Sequence, residues 1–164
     1  MPSPLLARFA HLYEQVIEVL QSYGQHVFLL AVRLAWGSQF ALTGWGKLTN
    51  IEGVTAFFTS LGIPMPGINA YVASTTELAG GLLLLIGLGG RLVPLPLIFT
   101  MLVAYATSDI DAIRNFSFTE PDPLFESAPF LFLLSSLIIW VFGPGKISAD
   151  ELIGRWWKKQ NETT

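Results

Sequence analysis

Four stretches of this chain are mostly apolar over a length suited to crossing a bilayer, and polar or glycine-rich positions mark where each one stops. A hydrocarbon core about 30 Å thick needs about 20 such residues at a rise of about 1.5 Å each. The first stretch runs from about His26 to Trp45, the second from Asn69 to Gly89, the third from Leu92 to Ser108 and the fourth from Ala128 to Gly143. The third carries Pro94 and Pro96 near its start, where a helix tolerates proline. The expected fold class is all-α, an integral membrane four-helix bundle spanning residues 25–146.

The flanks read differently. In residues 1–24, Leu5, Leu6, Phe9, Val16, Ile17 and Leu20 recur near helical spacing, with Arg8, Glu14, Gln15 and Glu18 between them. This pattern predicts an amphipathic helix on the membrane surface. A straight extension of the first span satisfies the same spacing, and Tyr23-Gly24 is where a bend would separate the two. No basic start followed by an apolar core is present, so no cleavable signal peptide is expected. Between Lys47 and Asn69, Val54 to Leu61 predict a short interfacial helix. At the other end, Gly143-Pro144-Gly145 stops the fourth span, and Ser148 or Asp150 is placed to cap a final helix. In residues 147–164, Leu152, Ile153, Trp156 and Trp157 oppose Arg155, Lys158 and Lys159, an interfacial anchor pattern.

Composition agrees with a membrane class. Hydrophobic residues make up 52% of the chain and charged residues 13%, about half the charge that coats a soluble domain. The net charge of −3 offers no basic face, so nucleic acid is not an expected partner. The absence of cysteine excludes disulfides, thiolate metal sites and Fe–S clusters on the chain's own residues. The side holding both termini and the second-to-third connection carries Arg8, Arg91, Lys146, Arg155, Lys158 and Lys159, against Lys47 and Arg114 opposite. The positive-inside rule then places both termini in the cytoplasm, and the expected location is an inner (plasma) membrane of bacterial type. Lys47, Arg91, Trp156 and Trp157 are the expected interfacial residues.

Two charges fall inside the spans, Arg33 in the first and Glu77 in the second. Each costs at least ~2.5 kcal/mol near the centre of an isolated helix, so neither is expected to face lipid. The first two spans run antiparallel, and the expected solution is an Arg33–Glu77 ion pair. Trp36 and Gln39 lie near Arg33, and Thr76 lies beside Glu77, so the pair could line a polar pocket for a quinone, an acidic solute or a proton path. Equally, it could fix helix register and nothing more. Gly37, Gly44, Gly80 and Gly81 are placed for close helix packing. His11 and His26 are the only histidines, and neither sits mid-span beside a second axial ligand, so haem is not expected. Asp109, Asp111, Glu120, Asp122 and Glu126 match no metal-loop spacing and read as a solvated acidic surface; no metal site is expected. The same loop, with its aromatic and proline residues, suits capping of the bundle or docking of a periplasmic partner. No Ser–His–Asp set, phosphate loop or nucleotide fingerprint is present, so catalysis by the chain alone is not expected.

Arg33 with Gly37, then Gly44-Trp45-Gly46-Lys47-Leu48, resembles the first helix of the DoxX family of small membrane proteins. The likeness continues in Phe57-Phe58, Leu61-Gly62-Ile63-Pro64, Pro66, Glu77-Leu78-Ala79-Gly80-Gly81-Leu82-Leu83, Gly87 and Arg91, and again in Phe142 to Asp150. The N-terminal segment is outside it, and residues 110–126 match only loosely. The resemblance implies a four-helix membrane fold with no uniform activity. Relatives include a membrane subunit linked to a thiosulfate:quinone oxidoreductase, and others are associated with oxidative-stress or sulfur-handling complexes. It therefore implies a membrane subunit of a redox complex, neighbouring a quinone-linked or electron-transfer partner. The expected ligand is a non-covalent quinone or lipid, and the expected partners are the bilayer, other membrane or periplasmic subunits and further copies of the chain. A small-solute or lipid-like carrier using Arg33 and Glu77, and a ligand-free assembly subunit, are the alternatives.

Overall fold

The structure, a computed structural model, describes residues 4–162. The side chains of residues 4–7 and 10, with Leu5 and Leu6 of the expected apolar face, lie outside that description. The described chain is all-α, with no strand. Helix α1 spans Pro4–Val19, and a π-helical turn at Leu20–Gly24 leads into α2, Gln25–Thr49. Then come α3 (Ile51–Ser60), α4 (Pro66–Ile86), α5 (Pro94–Thr107), α6 (Ile110–Arg114), α7 (Asp122–Phe125), α8 (Ala128–Phe142) and α9 (Ala149–Asn161).

Two helical stretches, His11–Thr49 and Pro66–Ile86, are long and apolar enough to cross a membrane; α5 and α8 are apolar but have only 14 and 15 residues. Helix α2 packs chiefly on α4, and α5 on α8, while α4 meets α5 and α2 meets α8. Leu29, Phe40, Leu84, Leu97, Met101 and Ile139 fill the centre. Leu34, Leu42, Tyr71, Phe99 and Val141 are apolar and turned outward, as expected where the solvent around the helices is hydrocarbon. The buried serine hydroxyls of α4 and α8 are satisfied within their own helices. Ser74 donates to the Ala70 carbonyl at 2.7 Å, and Ser136 to that of Phe132 at 2.8 Å.

The α2–α4 interface is close because glycines form it. A Cβ on Gly37 would meet the Gly81 carbonyl at 3.0 Å, one on Gly81 the Gly37 carbonyl at 2.7 Å, and one on Gly44 the Ser74 carbonyl at 2.8 Å. Gly80 instead receives Leu97 of α5. These contacts fix the register. Glu77 stands level with the last two turns of α2, and Arg33 with the end of α4.

Two expectations about α2 are corrected. The helix is not broken at Tyr23-Gly24: it continues through them by the π turn, with Gly24 at a helical φ of −58°. Nor does the helix stop at Trp45. Gly44 and Gly46 are accommodated within it, and the hydrogen-bonded turns run on to Thr49. Four further residues add about 6 Å of helix, and Lys47 lies in that last turn.

Candidate functional site

Arg33 and Glu77 do not pair, and each has other partners. Arg33 is 2% exposed. Its Nε donates to the Leu84 carbonyl at 3.0 Å and its Nη2 to that of Leu85 at 3.2 Å. Its Nη1 donates to the carbonyls of Ile147, at 2.8 Å, and Pro144. The carbonyls of the last turn of α4 are under-used, that of Leu84 taking only the short turn bond from Gly87 N at 3.1 Å, and a cation there answers both their hydrogen bonds and the helix dipole. The planar guanidinium can reach two backbone segments at once. It thereby joins α2, the end of α4 and the α8–α9 connection. Gly87 closes α4 at a φ of +70°, and a Cβ there would meet Arg33 Cζ at 2.7 Å. The same corner is tied by Asp150, whose Oδ1 accepts from Gly89 N at 3.0 Å and whose own N–H donates to the Gly87 carbonyl at 3.2 Å. Ser148 caps α9 by accepting from Glu151 N at 3.3 Å.

Glu77 pairs with Lys47. The Lys47 ammonium donates to Glu77 Oε1 at 2.6 Å and to Oε2 at 2.8 Å. The Glu77 side chain is 2% exposed and that of Lys47 38%. The physical reason for the changed partner is the register set by the glycines. Glu77 and Leu84 are two helical turns apart on α4, about 10 Å, so an arginine bonded to Leu84 and Leu85 stands well away from Glu77. Lys47, placed by the sequence reading at the interface against headgroups, turns back along α2 instead. Its charge meets the carboxylate, and its side chain stays partly exposed.

A cavity of about 1000 Å³ opens beside this pair. Its polar lining includes Lys47, Glu77, Thr76, Asn50 and Asp109, and its walls are largely apolar, with Phe57 and Phe58 from α3, Phe99 and Met101 from α5, and Phe132 from α8. Of the residues expected around a pocket, the structure brings Glu77 and Thr76 to the cavity and leaves Arg33, Trp36 and Gln39 outside its lining. Trp36 packs edge-on against Phe132 at 5.2 Å between ring centroids, behind the wall. Gln39 is exposed on the outer face of α2.

The remaining residues are peripheral. Arg91 is exposed at the termini's end and shares a shallow pocket of about 330 Å³ with His26 and Lys146. Trp156 and Trp157 are exposed on α9. In the long loop, Tyr105 Oη and Ser127 Oγ are hydrogen-bonded at 2.8 Å and Phe125 packs on Phe130, which ties α7 over the ends of α5 and α8. Phe118 is 96% exposed. The loop carboxylates do not converge: no group of three or more histidine or acidic side chains gathers at a metal-binding distance among the described residues.

Comparison with known proteins agrees with the sequence resemblance. The DoxX family profile matches residues 28–109. CatD of Bacillus subtilis (strain 168), named as a candidate oxidoreductase, is 30% identical over 134 residues, 80% of this chain and 91% of CatD. The inner membrane protein YqjF of Escherichia coli (strain K12) is 28% identical over 136 residues, 81% of this chain and 97% of YqjF. The inner membrane protein YphA of the same organism is 33% identical over 73 residues, 44% of this chain and 51% of YphA. No solved structure matches the chain. The profile covers the helices that carry both Arg33 and the Lys47–Glu77 pair, and the chain belongs to the DoxX family of membrane proteins.

Proposed function

We propose that this chain is an integral membrane subunit of a redox complex, and that its cavity beside Lys47 and Glu77 is where an apolar electron carrier of the quinone type meets it. The cavity carries the reading: it is large, lined mainly by aromatic and aliphatic side chains, and Lys47, Glu77 and Thr76 give it charged, hydrogen-bonding groups. Those residues fit a quinone, whose ring and tail are apolar and whose carbonyl oxygens accept hydrogen bonds. When bound, such a group would supply two-electron redox chemistry; the chain's own part is to bind and orient it. The candidate-oxidoreductase name of CatD supports the same direction.

In this reading α2, α4, α5 and α8 all cross the bilayer as a four-helix bundle, with both termini in the cytoplasm. At about 21 Å and 22 Å, α5 and α8 are shorter than the hydrocarbon core, and the loop cap at their far end and local thinning of the bilayer make up the difference. Helix α9 flanks the cytoplasmic end, where its exposed Trp156 and Trp157 suit the headgroup layer, and α1 continues the helix of α2 beyond that end. Arg33 belongs to the scaffold, since its hydrogen bonds all go to backbone carbonyls. That removes the Arg33–Glu77 pair from which the carrier alternative was drawn.

The test is isolation from native membranes in a mild detergent, with proteomic identification of co-purifying chains and extraction of bound quinone. A redox subunit and a quinone at near-equal amounts to the chain are expected. The free chain alone, with no quinone, would count decisively against the reading.

A further inference from the structure

The polar groups of the cavity are unequally available, and this points to a class of ligand. The hydroxyls of Thr43, Thr100 and Thr107 donate to carbonyls of their own helices, at 2.9 Å to Gln39, 2.9 Å to Pro96 and 2.8 Å to Val103. Both oxygens of Glu77 already accept from Lys47. An ammonium has three N–H donors and no acceptor, so Lys47 keeps one N–H beyond its two bonds to Glu77. That donor, the Thr76 hydroxyl and the Asn50 side-chain amide are the donors of the lining left to meet a guest.

Charge narrows the class further. Lys47 and Glu77 cancel, and the other ionisable residue of the lining is an acid, Asp109. An anion would meet Lys47 only in competition with Glu77. A bound cation would face the Lys47 ammonium. Phe57, Val72 and Phe99, from three different helices, line the cavity and are exposed, so part of its rim is apolar. We propose that the cavity takes an uncharged amphiphile, entering sideways from the bilayer, whose hydrogen-bond acceptor (a ketone, quinone or ester carbonyl) is read by Lys47. Glu77 is the positioning residue that holds the ammonium in place. The inference rests on reading this cavity as a ligand site, and it is independent of which redox partner, if any, accompanies the chain.

The experiment uses the full chain in phosphatidylcholine vesicles with four photoactivatable probes of equal chain length: a methyl ketone, an alkane, a carboxylate and a trimethylammonium. Mass spectrometry maps the labelled residues. A charge-assisted hydrogen bond corresponds to about a tenfold preference. The ketone is therefore expected to label Phe57, Phe58 and Phe99 about tenfold more than the alkane, and more than either charged probe. Lys47→Arg should keep the preference. The double variant Lys47→Met/Glu77→Met, which leaves no buried charge alone, should lose it. Equal labelling by ketone and alkane, preference for a charged probe, or a preference that survives the double variant would overturn the proposal. Should the double variant not fold, the four-probe comparison on the unmodified chain decides. The redox reading fails on a separate measurement, the absence of a co-purifying redox subunit and quinone, so the two failures are distinguishable.

Discussion

Lys47 holds both carboxylate oxygens of Glu77, at 2.6 and 2.8 Å, across an interface in which Gly44 lies directly against Ser74 and Leu78. The pair is asymmetric: the acid is buried and the base is partly exposed. Removing the base should therefore cost more than removing both partners. Lys47→Met leaves Glu77 buried without a counter-charge and is expected to destabilise the protein by about 3 kcal/mol. Lys47→Met/Glu77→Met should recover most of that. Unfolding by denaturant in detergent micelles measures both. A double variant as unstable as the single one would mean the pair itself, with its two hydrogen bonds, holds α2 to α4.

The apolar runs in the sequence located the helices that carry this site because run length is set by the bilayer, not by partner choice. Pairing is a finer property. Composition alone ends the first run at Trp45, since glycine and lysine ordinarily close a helix, yet Gly44 and Gly46 stay helical and carry Lys47 onward. With the helix ended early, Lys47 looked like a headgroup contact and Arg33 was the nearest cation left for Glu77. The true register was encoded in Gly37, Gly44 and Gly81, but converting small residues into a register requires knowing which backbone atoms they touch. The ties from Arg33 and Asp150 to backbone carbonyls and amides were not legible at all. Main-chain groups at a helix end carry no side-chain signature.

Arg33 should behave as a scaffold residue. Arg33→Lys keeps the charge but cannot span the Leu84–Leu85 and Pro144–Ile147 carbonyls together, so a loss of about 2–3 kcal/mol is expected. The α8–α9 connection should loosen first, giving faster proteolysis within residues 143–148. Gly87→Ala should weaken the same corner, because its Cβ would press on the guanidinium and its φ is +70°. Wild-type cleavage rates in both variants would remove Arg33 from this role.

On α9, the Arg155 Nε donates to Glu151 Oε1 at 2.9 Å. This hydrogen bond holds the Glu151 carboxyl below its usual range against the opposing effect of desolvation, with the charges of Arg155, Lys158 and Lys146 adding to it. A carboxyl held low in the folded protein contributes stability above its unfolded value, and that contribution is lost as pH falls through the folded one. Carboxyl ¹³C NMR of the labelled chain should show Glu151 titrating below a free glutamate. Arg155→Gln should move the midpoint up, and an unmoved midpoint would exclude the contact.

The glycines of α2 divide into two kinds, and alanine substitution should separate them with opposite signs. In Gly44→Ala the new methyl would meet the Leu78 backbone and the Ser74 carbonyl, neither of which is the end of a flexible side chain. The helices must move apart, breaking the level at which Lys47 meets Glu77, and a loss of at least about 2 kcal/mol is expected. Two residues on, a Cβ on Gly46 would have nothing within 4 Å. Alanine there removes only the backbone-entropy penalty of glycine in a helix, so Gly46→Ala should stabilise by about 0.5–1 kcal/mol. Both are read by denaturant unfolding in the same micelles. Only Gly44→Ala should also weaken labelling of the cavity by the ketone probe, because only it shifts the α2–α4 register that aims Lys47. Equal effects at the two positions would mean that helix propensity, and not the close approach of α2 to α4, governs this interface.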